Sequence, residues 1–527
     1  MRLRLRLVPL VLLLAWLCVQ PSSAAREVPL DQATIADLDA AFAAGTLTSE
    51  ALVQKFLARI EAYDRQGPSL HAVMALNPKA LDTARALDQE RAARGPRSPL
   101  HGIPFVLKDN FDTTDMPTTG GSVLLEGSVP PDDAFVVKKL RDAGAIILAK
   151  VNMSEFASGA ALSSLGGQSL NPHDLARSPS GSSGGTGVAV AAAFAMGGLG
   201  TDTGGSVRGP STANGIAGLK PTHGLLSRDG IIPLALSFDT AGPMARSVAD
   251  VAAMLGVMTG VDPADGATSK SQGRSESDYT RFLDANALQG ARIGVARDFM
   301  GADEEVDWVV TSAIEAMRRA GATVVDVRYP RWLLDAKGEF YNAIRRPEFP
   351  VQIGTYLETL DAKYPKTLLD LIARARQFTS PRGDGAQPNP PRWSLFVTEV
   401  NSGSLSDAQY VAVHDHVLPA IRQVVDGLLA ADRLDAIVYP TATRRPGLVA
   451  GPADGGGTPS ATNIANLTGY PDLIVPAGFT SDRLPVGISF FGPAFSEPRL
   501  LALGYAFEAA TRARRLPCIR RRSPATM

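Results

Sequence analysis

Three short stretches of the chain carry groups that can form bonds or move protons. Gly181-Ser182-Ser183-Gly184-Gly185 sets two hydroxyls between glycines, Gly204-Gly205-Ser206 sets a third after a glycine pair, and Lys108 ends the apolar run from Ile103. Glycine opens backbone conformations closed to other residues and lets N–H groups approach a bound atom. A serine in such a loop more often closes a turn than attacks a carbonyl. Ser206 becomes a candidate nucleophile when an amine that can accept a proton lies near it. Lys108 follows Ile103, Phe105, Val106 and Leu107, so a strand through the core would strip it of water and push its pKa toward the neutral form. A neutral amine beside a serine is a general base.

The elements around these residues must hold them. Residues 178–209 read SPSGSSGGTGVAVAAAFAMGGLGTDTGGSVRG, and the alanine-rich run from Val188 to Met196 is expected to form a buried helix linking the two serine clusters. Upstream, helices are expected over 34–44 and 48–65, each opened by a threonine, with a strand over 72–76. A helix over 78–94 would carry proline in its first turn. An amphipathic helix over 132–143 and a buried strand over 145–149 continue the alternation of an α/β fold. Strand-like runs recur at 292–296, 322–327, 434–440, 472–476 and 486–491, with helices over 407–429 and 497–512. Residues 261–280 read as a polar loop and 380–392 as a proline- and glycine-rich excursion.

Lys108, the run GSSGG at 181–185 and the run GTDTGGS at 200–206 together resemble the amidase signature family, whose members use a Ser-Ser-Lys triad. Carried over by position, the resemblance implies Ser206 as nucleophile, Ser182 as a bridging serine and Lys108 as general base. It further implies a cis peptide bond from Gly181 to Ser182. The N–H groups of Thr203, Gly204, Gly205 and Ser206 would form an oxyanion hole, with Gly181, Ser183 and Asp202 in support and Arg208 bracing the loop or touching substrate. Ser180 departs from the glycine common in the family. Segments such as PLHGIPFVLKDN and 224–250 resemble bacterial peptide amidases within it.

The fold this implies is α/β, a single large domain over 26–527 whose mixed sheet is covered by helices on both faces. Its parts would be an N-terminal helical portion over 26–95, a catalytic core over 96–260, a variable substrate-side region over 261–433, and closing strands and a helix over 434–527. The reaction implied is hydrolysis of a carboxamide to carboxylate and ammonia, with the C-terminal amides of peptides favoured by the resemblance. No cofactor and no metal are implied, and the partner expected is a small-molecule or peptide amide.

Other chemistries fit less well. Gly181 to Gly185 satisfies G-x-S-x-G, the signature of a Ser-His-Asp hydrolase or esterase, but that motif needs a strand before its serine. Ser178-Pro179-Ser180 is a poor strand end, and His414 and His416 lie in an expected helix. Lys150 and Lys220 also border apolar runs but lie outside the motifs, and are read as structural. An amidotransferase component of the A type, working only with partner subunits, is a further alternative, as is an inactive binding protein of the same fold.

The chain has 527 residues and a net charge of -1, which gives no reason to expect a nucleic-acid surface. Arg2, Arg4 and Arg6, the apolar run from Leu7 to Val19 and the small residues at 22–25 read as a secretory signal peptide over 1–25,. The expected destination is the periplasm or the exterior, with no membrane association after cleavage. Cys518 would then be the sole cysteine, and the oligomeric state is unreadable from sequence.

Overall fold

The computed structural model describes residues 28–450 and 462–519. The expected signal peptide lies outside these residues.

Strands are numbered in chain order: β1 (Val73–Leu76), β2 (Pro104–Lys108), β3 (Ile146–Val151), β4 (Leu162–Ser163), β5 (Gly167–Gln168), β6 (Gly197–Asp202), β7 (Ala217–Lys220), β8 (Thr240–Ala245), β9 (Arg292–Ala296), β10 (Thr323–Val327), β11 (Ala436–Pro440), β12 (Asp472–Phe479) and β13 (Pro485–Phe491). Apart from the β4–β5 hairpin they form one 11-stranded sheet, in the order β1-β3-β2-β6-β8-β7-β12-β13-β11-β9-β10. Neighbours are parallel in β3-β2-β6 and in β11-β9-β10, and antiparallel elsewhere. The α/β architecture is therefore as expected: a single mixed sheet covered by helices.

Burial explains the strand sequences. β2, β3, β6, β7, β8, β11 and β13 are buried along their full length. They accordingly run as largely apolar or glycine segments without alternation, as strands covered on both faces do, with charged residues such as Lys108, Asp202 and Lys220 at their ends,. The two edge strands, β1 and β10, are only partly buried. Helices such as Ser49–Ile60, Val248–Met258 and Glu497–Thr511 contribute Phe56, Leu255 and Phe507 to the main apolar core, with Phe105, Leu199 and Ile488 from the sheet.

Three expectations need correction. The helix expected over 188–196 instead spans Gly184–Ala191, and the apolar residues after it form the tight turn into β6, with Ala193 at φ 55°. It begins at the glycines because they permit close approach: a Cβ on Gly185 would lie 2.5 Å from the Asn152 backbone nitrogen. The helix expected over 78–94 starts at Ala80, with Lys79 at the N-cap position and Pro78 before it. Residues 261–280 are not all loop, since Gly266–Ser271 forms short 3₁₀ turns.

The helical cover over 331–431 packs onto the body in two apolar clusters, Ile344 and Ile421 with Ile437, Tyr439 and Phe491, and Phe349 and Phe396 with Leu124, Met153 and Phe156. Its longest element is the 28-residue helix Arg331–Glu358. Glu348 accepts from the Ser237 N–H at 3.1 Å and Gln352 from the Leu236 N–H at 2.7 Å, and the Tyr356 hydroxyl donates to Asp112 at 2.7 Å. The proline-rich excursion ends in a second helix, Pro390–Val400. There Asn389 and Trp393 donate to buried Glu155 at 2.8 and 2.9 Å, tying the cover to the core.

Candidate active site

β2 and β6 run parallel and adjacent, so their carboxyl ends open together on one edge of the sheet, where α/β proteins hold ligands. Lys108 ends β2. Thr201 and Asp202 end β6, and the chain continues directly into the loop 203–206. The loop 178–183 crosses this end, held by Ser154 N–H donating to Ser182 O at 2.9 Å and by Asn214 Nδ2 donating to Pro179 O at 3.0 Å. The Gly181–Ser182 peptide bond is cis.

Lys108 is fully buried. Its Nζ lies 2.7 Å from Ser182 Oγ, 2.7 Å from Thr201 Oγ1 and 3.4 Å from the Thr201 carbonyl oxygen. Among the described residues no carboxylate pairs with it. Burial lowers its pKa from 10.5 to about 7, only partly opposed by the more distant charges of Asp202 and Asp239. Asn110 Nδ2 donates to Thr201 Oγ1 at 3.0 Å, fixing the threonine that receives the lysine.

Ser183 closes the junction of the two loops. Its N–H donates to Ser206 O at 3.2 Å, and its hydroxyl donates to the Thr201 carbonyl at 3.2 Å. The Ser206 hydroxyl has no hydrogen-bond partner among the described residues and is partly exposed. The structure therefore joins Lys108 to Ser182 by direct contact and sets Ser206 on the adjoining loop with its hydroxyl free.

Asp202 is the organiser of that loop. Its carboxylate accepts from Gly205 N–H at 2.9 Å, Val207 N–H at 3.0 Å and Arg208 N–H at 3.4 Å. Arg208, fully buried, donates to it at 3.0 Å and to Asp472 at 3.0 Å. Burial alone would raise the Asp202 pKa, but the Arg208 charge and hydrogen bonds reverse this and hold the carboxylate well below its usual range. Arg208 is thus a brace between β12 and the loop.

The same loop carries the four N–H groups expected to form an oxyanion hole. The Gly205 N–H is committed to Asp202, so it is not available to a substrate oxygen; the N–H groups of Thr203, Gly204 and Ser206 have no partner among the described residues. Gly205 also takes φ 119°, a conformation that needs glycine. Thr203 is fixed from its side chain, whose hydroxyl donates to buried Asp239. The Tyr341 hydroxyl packs against Gly204, where a Cβ would lie 2.8 Å from it.

A cavity of about 410 Å³ opens over these loops, lined by Gly181, Gly204 and Gly205 on one side and Thr441, Thr443 and Arg444 on the other. A larger one, about 1070 Å³, lies along β1 and the hairpin; neither lining includes Ser182, Ser183, Ser206 or Lys108, but only the smaller one is lined by their chain neighbours Gly181, Gly204 and Gly205.

The rival assignments find no geometry. Lys150 donates to Thr118 at 2.8 Å and pairs with Asp109 at 3.4 Å, while Lys220 donates to the carbonyls of Pro221 and Tyr470 at 2.9 and 2.8 Å. No histidine hydrogen-bonds a serine among the described residues; His414 pairs with Asp415 on the surface. Thr201 and Asn110 lie in the quoted motifs, yet their residue types gave no reason to single them out in sequence. Asp239 and Tyr341 carried no signal at all, because their roles arise from contacts distant in the chain.

A family model described as Amidase matches residues 51–501. The native peptide amidase of Stenotrophomonas maltophilia superposes with a TM-score of 0.84 at 40% identity, covering 94% of this chain and 100% of that one. The A component of the glutamyl-tRNA(Gln) amidotransferase of Myxococcus xanthus is 38% identical over 91% of this chain and 97% of its own length. A probable amidase of Arabidopsis thaliana is 33% identical over 93% of this chain and 92% of its own.

Proposed function

The chain belongs to the amidase signature family of amide hydrolases, and on that premise we propose that it releases ammonia from carboxamides through Ser206, Ser182 and Lys108. The observation that carries this reading is a buried lysine with no anionic partner among the described residues, 2.7 Å from the Ser182 hydroxyl. A neutral amine has two N–H bonds and one lone pair. The two bonds suit the two oxygens of Thr201, which leaves the lone pair for the Ser182 proton.

Ser182 passes its proton to Lys108 while accepting that of Ser206, whose oxygen attacks the amide carbon. Negative charge develops on the carbonyl oxygen, for which the N–H groups of Thr203, Gly204 and Ser206 are available; each such donor is worth roughly 3 to 4 kcal/mol. Collapse breaks the C–N bond, the relay returns one proton to the leaving ammonia, and water then hydrolyses the acyl-Ser206 ester by the same route. The peptide amidase relative supports C-terminal peptide amides as substrates. The signal-like residues 1–25 support work outside the cytoplasm, on the chain alone.

The test is ammonia release by the isolated chain from a panel of peptide amides and simple carboxamides. Turnover that vanishes in Ser206→Ala is expected. No turnover by the isolated chain, with activity restored by partner subunits, would instead favour the amidotransferase reading that the 38% relative raises.

A further inference from the structure

One wall of the 410 Å³ cavity that adjoins the serine loops through Gly181, Gly204 and Gly205 is the strap that follows β11. Its far end is zipped to the catalytic loop: Ser178 N–H donates to Gly447 O at 2.8 Å, Arg177 pairs with Leu448 as a backbone bridge, and Arg177 donates to Pro446 O at 3.0 Å. Its near end is the buried strand β11 itself. Two arginines sit between these fixed points, and they are treated differently. Arg445 is neutralised by Asp303 at 2.9 Å and Asp482 at 3.3 Å. Arg444 lines the cavity, is exposed, and has neither ion pair nor hydrogen bond among the described residues.

Among the described residues no carboxylate lines this cavity, and Arg444 is the one charged side chain of its lining that meets no opposite charge.

We propose that Arg444 is a specificity-determining residue, selecting carboxamides whose acyl portion bears a carboxylate. The inference rests on the amide-hydrolase reading of the same site. Arginine suits this task because its planar fork meets a carboxylate with two parallel N–H bonds. In a partly solvated cavity such a contact discriminates modestly, by about five- to tenfold, and the discrimination weakens with salt.

The experiment compares kcat/KM for N-acetyl-glutamate α-amide and N-acetyl-Glu-Ala-amide with the norleucine analogues of each. The wild-type chain is expected to prefer one of the acidic amides by about five- to tenfold at low salt. That ratio should fall to near one in Arg444→Ala, be partly restored in Arg444→Lys, and persist in Arg331→Ala, a solvated cation outside the cavity lining. Equal kcat/KM for acidic and neutral amides in the wild type, or a ratio that survives Arg444→Ala, would overturn the proposal. If the wild type hydrolyses no member, the amidase reading fails separately. Calorimetric binding of the same amides to Ser206→Ala then decides the charge preference, with equal affinities overturning it and tighter acidic binding lost in Ser206→Ala/Arg444→Ala upholding it.

Discussion

Two lysines end two strands of the same sheet, Lys108 at β2 and Lys220 at β7. Both are fully buried, and desolvation lowers the pKa of each to about 7. Their hydrogen-bond partners differ: among the described residues Lys220 donates only to the carbonyl oxygens of Pro221 and Tyr470, whereas Lys108 meets the hydroxyls of Ser182 and Thr201. A carbonyl has no proton to give, so a neutral Lys220 has nothing to deprotonate. The contrast teaches that a depressed pKa marks burial, and only a partner that can donate a proton turns burial into a base.

The largest expected effect separates the two directly. Lys108→Met should lower kcat by about 10²- to 10⁴-fold with the protein folded, while Lys220→Met should leave kcat of wild-type order; ammonia release from one amide reads both. Equal losses in the two variants would erase the distinction. Arg208, the buried cation that is fully paired, sharpens it from the other side. Arg208→Met strands Asp202 and Asp472 as buried charges and should cost about 3–5 kcal/mol, measured as a fall in the urea midpoint. Lys220→Met leaves two carbonyls without donors and should cost a smaller 1–3 kcal/mol or so in the same denaturation.

The pH profile follows next. Protonated Lys108 has no lone pair, so kcat/KM should fall about tenfold per unit of pH below a limb near 7,, and Lys220→Met should keep that limb in place. A limb that moves only in Lys220→Met would reverse the assignment of the two lysines. The smallest effect concerns Asp239, whose charge raises the Lys108 pKa. Asp239→Asn should shift the limb to lower pH by less than about one unit, visible as retained activity at pH 6 relative to the wild-type optimum.

The reactive groups were legible because their signals are local. Glycines beside Ser182 and Ser206 and a lysine closing an apolar run are patterns within ten residues, and the strands at 104–108, 292–296 and 485–491 announce themselves by continuous apolar character. The start of the helix at Gly184 was not legible, because glycine disfavours helices on its own and only the close approach to Asn152 explains it. Nor was the engagement of the Gly205 N–H by Asp202, since a carboxylate three residues away can cap any of several neighbours. Arg208 could be read as a brace or a substrate contact; Asp472, more than 250 residues away, decides for the brace. The helical cover over 331–431 yielded only its last helix, because prolines at 347 and 350 inside a 28-residue helix contradict the usual stop signal.

That long helix has a practical consequence for anyone wishing to alter substrate choice. It reaches the catalytic loop through Tyr341 against Gly204 and, fifteen residues on, the main body through Tyr356 and Asp112. Exchanging the cover for that of a relative would therefore graft a part fastened at several points, two of them, Tyr341 and Tyr356, at distant places along one helix. Chimeras that leave out either anchor should misalign the loop they were built to redirect, whereas single changes on the strap beside it avoid the problem.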